Sequence, residues 1–245
     1  MRSIDICLSP ALLHLHDLSG KAVVVVDILR ATSCMVTAIA HGVERILPVA
    51  TLEECKALHD LGYITAAERD GRKAEGFHMG NSPFSFMDET LTGKTIAMTT
   101  TNGTLAISRS RHAREVIIGS FLNLEAICDY LMQQPGDILI LCAGWKGKAN
   151  LEDTLFAGAI VEELKEFLSF ESDAPLMANM LYNQAKADMR FWLNQSSHVK
   201  RLNRLDIHKD IDFCLQQSIY NVIPVLEDNA LIKMEPSYVR KEVRH

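Results

Sequence analysis

The chain has 245 residues, 48% of them hydrophobic, and 25 Lys and Arg against 31 Asp and Glu give it a net charge of −6. That length supports roughly 70–75% burial of the unfolded surface, as one large unit or two small lobes. The acid excess argues against a general nucleic-acid binder, whose affinity rests on neutralising phosphates, and no apolar run reaches the ~18 residues a membrane helix needs.

In chain order, "MRSIDICLSPALLHLHDLSG" breaks its apolar stretch with His14, His16 and Asp17, unlike a signal peptide. From Val23 the valine run reads as a strand buried on both faces, ended by Asp27. "ATSCMVTAIAHG" then reads as a helix with Thr32 or Ser33 as N-cap and Gly42 as its stop. "RILPVA" precedes the helix "TLEECKALHDLG", capped by Thr51; "YITAAE" precedes a long polar loop; "KTIAMTT" precedes a helix starting near Thr104. "REVIIGS" leads to "NLEAICDYLMQQ", and "DILILCAG" leads to "LEDTLFAGAIVEELKEFL". From Pro175 the segments are consecutive helices, closed by "NVIPVLEDNALIK" as a terminal hairpin. This alternation predicts a three-layer α/β/α fold with a largely parallel sheet, and no linker divides residues 1–245, so one compact unit is expected. The cysteines at 7, 34, 55, 128, 142 and 214 form no C-x-x-C pair, the pattern of reduced thiols in the cytoplasm.

The polar residues gather after strand ends: Asp27 with Arg30, Glu68 with Arg69, Thr99 to Thr101 with Asn102, and "CAGWKGK" from Cys142. Ligands of open α/β sheets bind along that rim. The loop "RDGRKAEGFHMGNSP", read as free of secondary structure, adds Asn81 and Ser82. Hydroxyls of Thr100 and Thr101, the Asn102 amide and bare backbone at Gly144 suit an anion at helix starts, and arginine adds bidentate recognition of phosphate. Carboxylates beside an anion site make sense with Mg²⁺ between them, Asp27 on the metal and Arg30 on the phosphate. Plainer readings compete. Asp27 and Arg30 also read as an ion pair, Glu152-Asp153 as acids at a helix start, and "HVKRLNRLDIHK" as a solvated face. The nine histidines show no ligand spacing, and Cys142 reads as a small core residue before a nucleophile.

No G-x-x-x-x-G-K-[ST] occurs, and "DILRAT" lacks the glycines of a dinucleotide fingerprint, which disfavours a nicotinamide-dependent reductase. "CAGWKGK" has Lys148 where a thiol phosphatase loop needs arginine, and "DIL" lacks the second aspartate of the haloacid dehalogenase pattern.

Taken together, "VVVDILRATS", "ER" at Glu68, "GNSP" at Gly80, "TTTNGT" at Thr99, "CAG" at Cys142, "LEDTLFAG" at Leu151, and the C-terminal "SSH", "DIDFC" and "VIP" resemble the 2-phosphosulfolactate phosphatases over nearly the whole chain. The resemblance implies a Mg²⁺-dependent phosphatase of an α/β fold unlike the common phosphatase folds. It implies action on phosphate esters of 2-hydroxycarboxylic acids, in the route to coenzyme M, and a homodimer. Two positions depart from the pattern: Cys34 stands where a hydroxyl is expected and His78 where Asp is expected. The mechanism expected is a metal-assisted displacement at phosphorus. Mg²⁺ is held through Asp27 with Glu68 or Asp153, while Arg30 and Arg69 neutralise the small anionic substrate. Its competitors are a covalent intermediate on Asp27 or Cys142, another phosphorylated hydroxy acid as substrate, and a non-catalytic protein that binds an anionic metabolite.

Overall fold

The structure is a computed structural model that describes residues 2–170 and 172–235. Its strands and helices run β1 (Ser3–Cys7), β2 (Ala22–Val26), α1 (Ala31–Ala40), β3 (Arg45–Pro48), α2 (Leu52–Asp60), β4 (Ile64–Arg69), β5 (Arg72–Lys73), β6 (Thr95–Thr99), α3 (Gly103–Arg109), β7 (Glu115–Gly119), α4 (Leu124–Gln133) and β8 (Ile138–Cys142). They continue as α5 (Leu151–Leu164), β9 (Ser169–Phe170), α6 (Asp173–Ala185), α7 (Met189–Leu193), α8 (Ser197–Asn203), α9 (His208–Cys214), β10 (Pro224–Glu227) and β11 (Ala230–Lys233). Among the described residues no helix is long and apolar enough to cross a membrane.

The strands form one sheet in the order β5-β4-β6-β3-β11-β10-β7-β2-β8-β1-β9. It holds two parallel blocks, β4-β6-β3 and β7-β2-β8-β1-β9. Between them lies the C-terminal hairpin, antiparallel within itself and bridged outward by Leu231 to Ile46 on one side and Val225 to Ile117 on the other. The predicted terminal hairpin is therefore present, but in mid-sheet and not at an edge.

Because side chains alternate across a strand, the central strands feed two cores at once. Val24, Val26, Ile138 and Ile140 pack with α4, α5 and the C-terminal helices. Val23, Val25, Leu139 and Leu141 pack with α1 and α3. This is why the β2 run shows no polar alternation: all five of its residues are buried. The α1–α3 core also takes in Ala66 of β4 and Ile96 and Met98 of β6. In a flat sheet β4 and β2, six positions apart, would be separated by roughly 29 Å. A shared core, and a hydrogen bond from Arg30 Nη2 to Gly71 O at 3.0 Å, require the sheet to curl around α1 and α3. That curl makes the site.

Two local expectations are corrected. Thr32 and Ser33 lie inside α1, whose N-cap is Arg30; Thr32 Oγ1 instead accepts from Asp27 N at 3.0 Å, and Ser33 Oγ donates to Ile28 O at 2.9 Å. These hydroxyls brace the turn that leaves β2. The long loop after β4 is not structureless. It folds back as β5 through a two-residue Asp70-Gly71 turn with φ of 55° and 83°, then returns to the sheet where Ala66 bridges Met79. Here His78, in place of the expected acid, accepts from Thr65 N at 3.1 Å through Nδ1. "SIDIC" near the N-terminus, to which no element is assigned from the sequence, is a sheet strand, β1. Thr51 caps α2 as expected, with Glu54 completing a capping box.

Candidate active site

A cleft of about 340 Å³, part of it open to solvent, is lined by Asp27, Leu29, Arg30, Glu68, Gly71, Asn81, Asn102, Trp145, His198, Arg201 and Leu202. Its strand-end half begins at Asp27. Thr32 N donates to the Asp27 carbonyl at 3.0 Å, and Ala31 N reaches Oδ1 at 3.4 Å, so the first turn of α1 fixes this residue. Burial pushes the Asp27 carboxyl up to about 6; the His198 ring lowers it, and Glu68 and Glu152 raise it further. The glycine of "TTTNGT" is explained by the same neighbourhood. A Cβ on Gly103 would meet Ala31 Cβ at 2.6 Å and Asp27 Oδ2 at 3.0 Å, so only glycine lets α3 start here.

Glu68, buried at the end of β4, accepts from Gly71 N and lies 3.5 Å from the Thr101 hydroxyl. Arg30 is also buried, but its ion pair is with Asp210 of α9 and not with Asp27, and its Nη2 donates to Gly71 O. One tight turn thus ties the acid of one parallel block to the arginine of the other. Gly71 suits this turn: φ is +83°, where a side chain is strained, and a Cβ would stand 2.7 Å from Leu205 Cδ1. Asn81 is buried beside them with Oδ1 unpartnered among the described residues.

The other half comes from the C-terminal helices. Ser196 caps α8, accepting from Val199 N at 3.0 Å, and His198, Arg201 and Leu202 follow at helical spacing on the face toward the cleft. His198 Nδ1 pairs with Glu152 Oε1, and Glu152 is fully buried with its other oxygen unpartnered. The His198 ring lies nearly parallel to the Trp145 indole (18°, centroids 6.1 Å apart), and Arg201 Cζ sits 3.6 Å over the same indole. Trp145 is presented by a turn in which its N–H and carbonyl pair with Lys148 across Lys146-Gly147, both at positive φ. "CAGWKGK" is therefore an indole-bearing turn, not a phosphate cradle. Cys142 above it is buried, and burial pushes its thiol well up, the opposite of an activated nucleophile.

Of the residues expected from sequence, Asp27, Arg30, Glu68, Asn81 and Asn102 meet at the cleft. The others stand behind it. Arg69 donates to Glu68 O at 2.6 Å and Thr99 Oγ1 at 3.2 Å. Thr100 is bonded to Thr104 in both directions, Ser82 precedes the short helical turn Pro83–Phe86, and Gly144 N donates to Asp153 Oδ2 at 3.0 Å. Asp153 also accepts from Ile28 N at 3.0 Å, so it clamps the β2 turn to the β8 turn. Burial, with Glu152 and Asp27 adding, pushes its carboxyl well up. Glu152 and Asp153 do stand in the first turn of α5, as acids at a helix start, but their carboxylates pair with His198, Ile28 N and Gly144 N. In "HVKRLNRLDIHK" the solvated-face reading holds for Lys200, Arg204 and Lys209, which are exposed, and fails for His198, Arg201 and Asp210. The i, i+3, i+4 spacing of His198, Arg201 and Leu202 was the available signal.

Among the described residues no three His, Cys, Asp or Glu side chains converge as a ready-made metal cage. What lines the cleft is two carboxylates, Asp27 and Glu68, and one unpartnered amide oxygen, Asn81 Oδ1. That donor set suits a hard cation that completes its shell with substrate phosphate and water.

The family model described as 2-phosphosulpholactate phosphatase matches residues 7–229. A Thermotoga petrophila protein named "Probable 2-phosphosulfolactate phosphatase" is 38% identical over 232 residues, covering 95% of this chain and 99% of that protein. Proteins of the same printed name from Caldanaerobacter subterraneus (38% over 228 residues, 91% and 94% covered) and Clostridium acetobutylicum (35% over 226 residues, 90% and 96%) match likewise. The α/β fold with its polar strand-end cleft is thus that of a phosphoric monoester hydrolase. The chain belongs to the 2-phosphosulpholactate phosphatase family.

Proposed function

We propose that the chain is a Mg²⁺-dependent phosphatase that hydrolyses 2-phosphosulfolactate to sulfolactate and phosphate. The observation that carries this reading is that two carboxylates, two arginines and a carboxylate-paired histidine line one cleft. Asp27 and Glu68 would hold the cation, with Asn81 Oδ1 beside them. When bound, Mg²⁺ supplies Lewis-acid polarisation of a phosphoryl oxygen.

The chain's own residues do the rest. Glu152 against Nδ1 of His198 fixes the tautomer with the proton on Nδ1, leaving Nε2 as the acceptor on the cleft side. From there Nε2 takes a proton from the attacking water as the P–O ester bond breaks, and returns it to the departing alkoxide; Glu152 stabilises the imidazolium in between. Arg30, held by Asp210 and Gly71 O, supplies a fixed positive charge without needing to reorganise. Leu29, Leu202 and the indole of Trp145 limit water on the remaining walls.

Following 2-phosphosulfolactate with the purified protein and Mg²⁺ by phosphorus and proton NMR tests the reading. Stoichiometric inorganic phosphate and sulfolactate are expected. Saturable binding of the ester with no phosphate released would make the chain a binding protein for an anionic metabolite.

A further inference from the structure

The two arginines of the cleft are not equivalent. Arg30 is compensated by the buried Asp210 carboxylate and donates to Gly71 O. Arg201 is half-buried and, among the described residues, forms neither an ion pair nor a side-chain hydrogen bond; its guanidinium lies 3.6 Å over the Trp145 ring. Stacking engages the flat face of a guanidinium and leaves its in-plane N–H fork free. Burial lowers the Arg201 pKa, while Glu68, Asp70, Glu152 and Asp27 raise it without pairing with it. A cation shelved on an aromatic ring, lining a cleft and holding unused planar donors, is built to receive a planar or tripodal anion.

We infer that Arg201, positioned by Trp145, is the specificity-determining residue that binds the substrate's non-transferred anionic group, a carboxylate or a sulfonate. This rests on the phosphatase reading of the same cleft. In that reading the phosphoryl group being transferred is met by the cation on Asp27 and Glu68 and by Arg30. Arg201 therefore contributes binding that is equal in the ground and transition states, which appears in KM more than in kcat.

Three esters separate the cases: 2-phosphosulfolactate carries both extra anions, 2-phospholactate only the carboxylate, and isopropyl phosphate neither. Arg201→Gln should raise KM on the order of 10²-fold for the charged substrate whose group it reads, with kcat within a few-fold and the isopropyl phosphate kcat/KM within about threefold of the parent. A loss with both charged esters assigns the carboxylate, and a loss with 2-phosphosulfolactate alone assigns the sulfonate. Trp145→Phe should keep most of the discrimination, and Trp145→Ala should lower it while circular dichroism stays unchanged. Equal losses for all three esters, or a kcat-only defect, would overturn the inference. If the parent protein turns over none of the three, the phosphatase reading fails instead. Arg201 is then judged by calorimetric binding of sulfolactate and lactate, where loss in Arg201→Gln supports its role and unchanged binding ends it.

Discussion

The cleft is assembled from two unlike regions. The strand-end half, Asp27, Glu68 and Asn102, hangs on turns braced by backbone hydrogen bonds, with glycine at Gly71 and Gly103 wherever two chains must nearly touch. The helical half, His198, Arg201 and Asp210, comes from two seven-residue helices, α8 and α9, and reaches the cleft through side-chain pairs: His198 with Glu152, Arg30 with Asp210, Arg201 on Trp145. The first stands at and just beyond strand ends; the second is anchored in the core by Val199, Leu202, Ile211 and Cys214 and aimed by charge and stacking. The division also follows chemistry in the proposed mechanism, with oxygen ligands for a cation on one side, and proton transfer and anion recognition on the other.

The largest expected effect lies in the strand-end half. Asp27→Asn should fold and lose turnover on the order of 10³-fold, with Mg²⁺ affinity falling alongside, because the amide keeps the shape and removes the charge. Normal turnover with normal Mg²⁺ affinity would make Asp27 a structural acid. In the helical half, His198→Gln should lower kcat by roughly 10². The loss should fall on kcat and leave KM within a few-fold, a split that a purely structural histidine would not give.

Asp210→Asn strikes the link between the halves. It leaves the buried Arg30 guanidinium without its counter-charge, which costs about 3 kcal/mol in urea unfolding. A variant of unchanged stability would show that the pair is not what secures α9.

Legibility in the sequence divided along the same line. The valine run, the cap at Thr51 and the threonines that precede a helix expected near Thr104 are local signals, and they place β2, α2 and, to within a residue, the start of α3. Asp27 and Glu68 could be read as site residues because a carboxylate directly after an apolar strand has few other reasons to be there. Arg30 was half-legible: its place at the cleft could be read, but its partner lies 180 residues away in sequence. Position 198 reads as part of a basic helix because its companions Lys200 and Arg204 are solvated, and its inward face is set by tertiary contacts, His198 with Glu152 and Val199 and Leu202 in the core. The hairpin's insertion at mid-sheet is equally a tertiary fact, since nothing local to β10 or β11 says which strands they will separate.

Smaller effects sharpen the comparison. In metal-free protein the folded state binds the Asp27 proton more tightly than the unfolded chain does, about 6 against the ordinary 3.8. Asp27 therefore contributes stability that is full below the lower value and lost as pH rises through the upper one. Removing the charge in Asp27→Asn should make the metal-free protein more stable than the parent at pH 8, on the order of 1 kcal/mol after allowance for solvent screening, with the gap closing below pH 5. Thermal unfolding in chelator at the two pH values checks this; a gap of equal size at both would mean that Asp27 is not the titrating group. Smallest of all should be Cys142→Ser, whose turnover is expected within about tenfold of the parent, worth roughly 1.4 kcal/mol in barrier. A trapped phosphocysteine would reverse that assignment.

The division of labour rests on a cation held by the strand-end acids, and one titration tests it most directly. Protein stripped by chelator and dialysed is mixed with 2-phosphosulfolactate, and phosphate release is followed as Mg²⁺ is added back, in the parent and in Asp27→Asn. No release without Mg²⁺, a saturable recovery in the parent, and a curve displaced to much higher Mg²⁺ or lost in Asp27→Asn is the predicted result. Full release from the stripped parent protein, unchanged by added Mg²⁺, would contradict it.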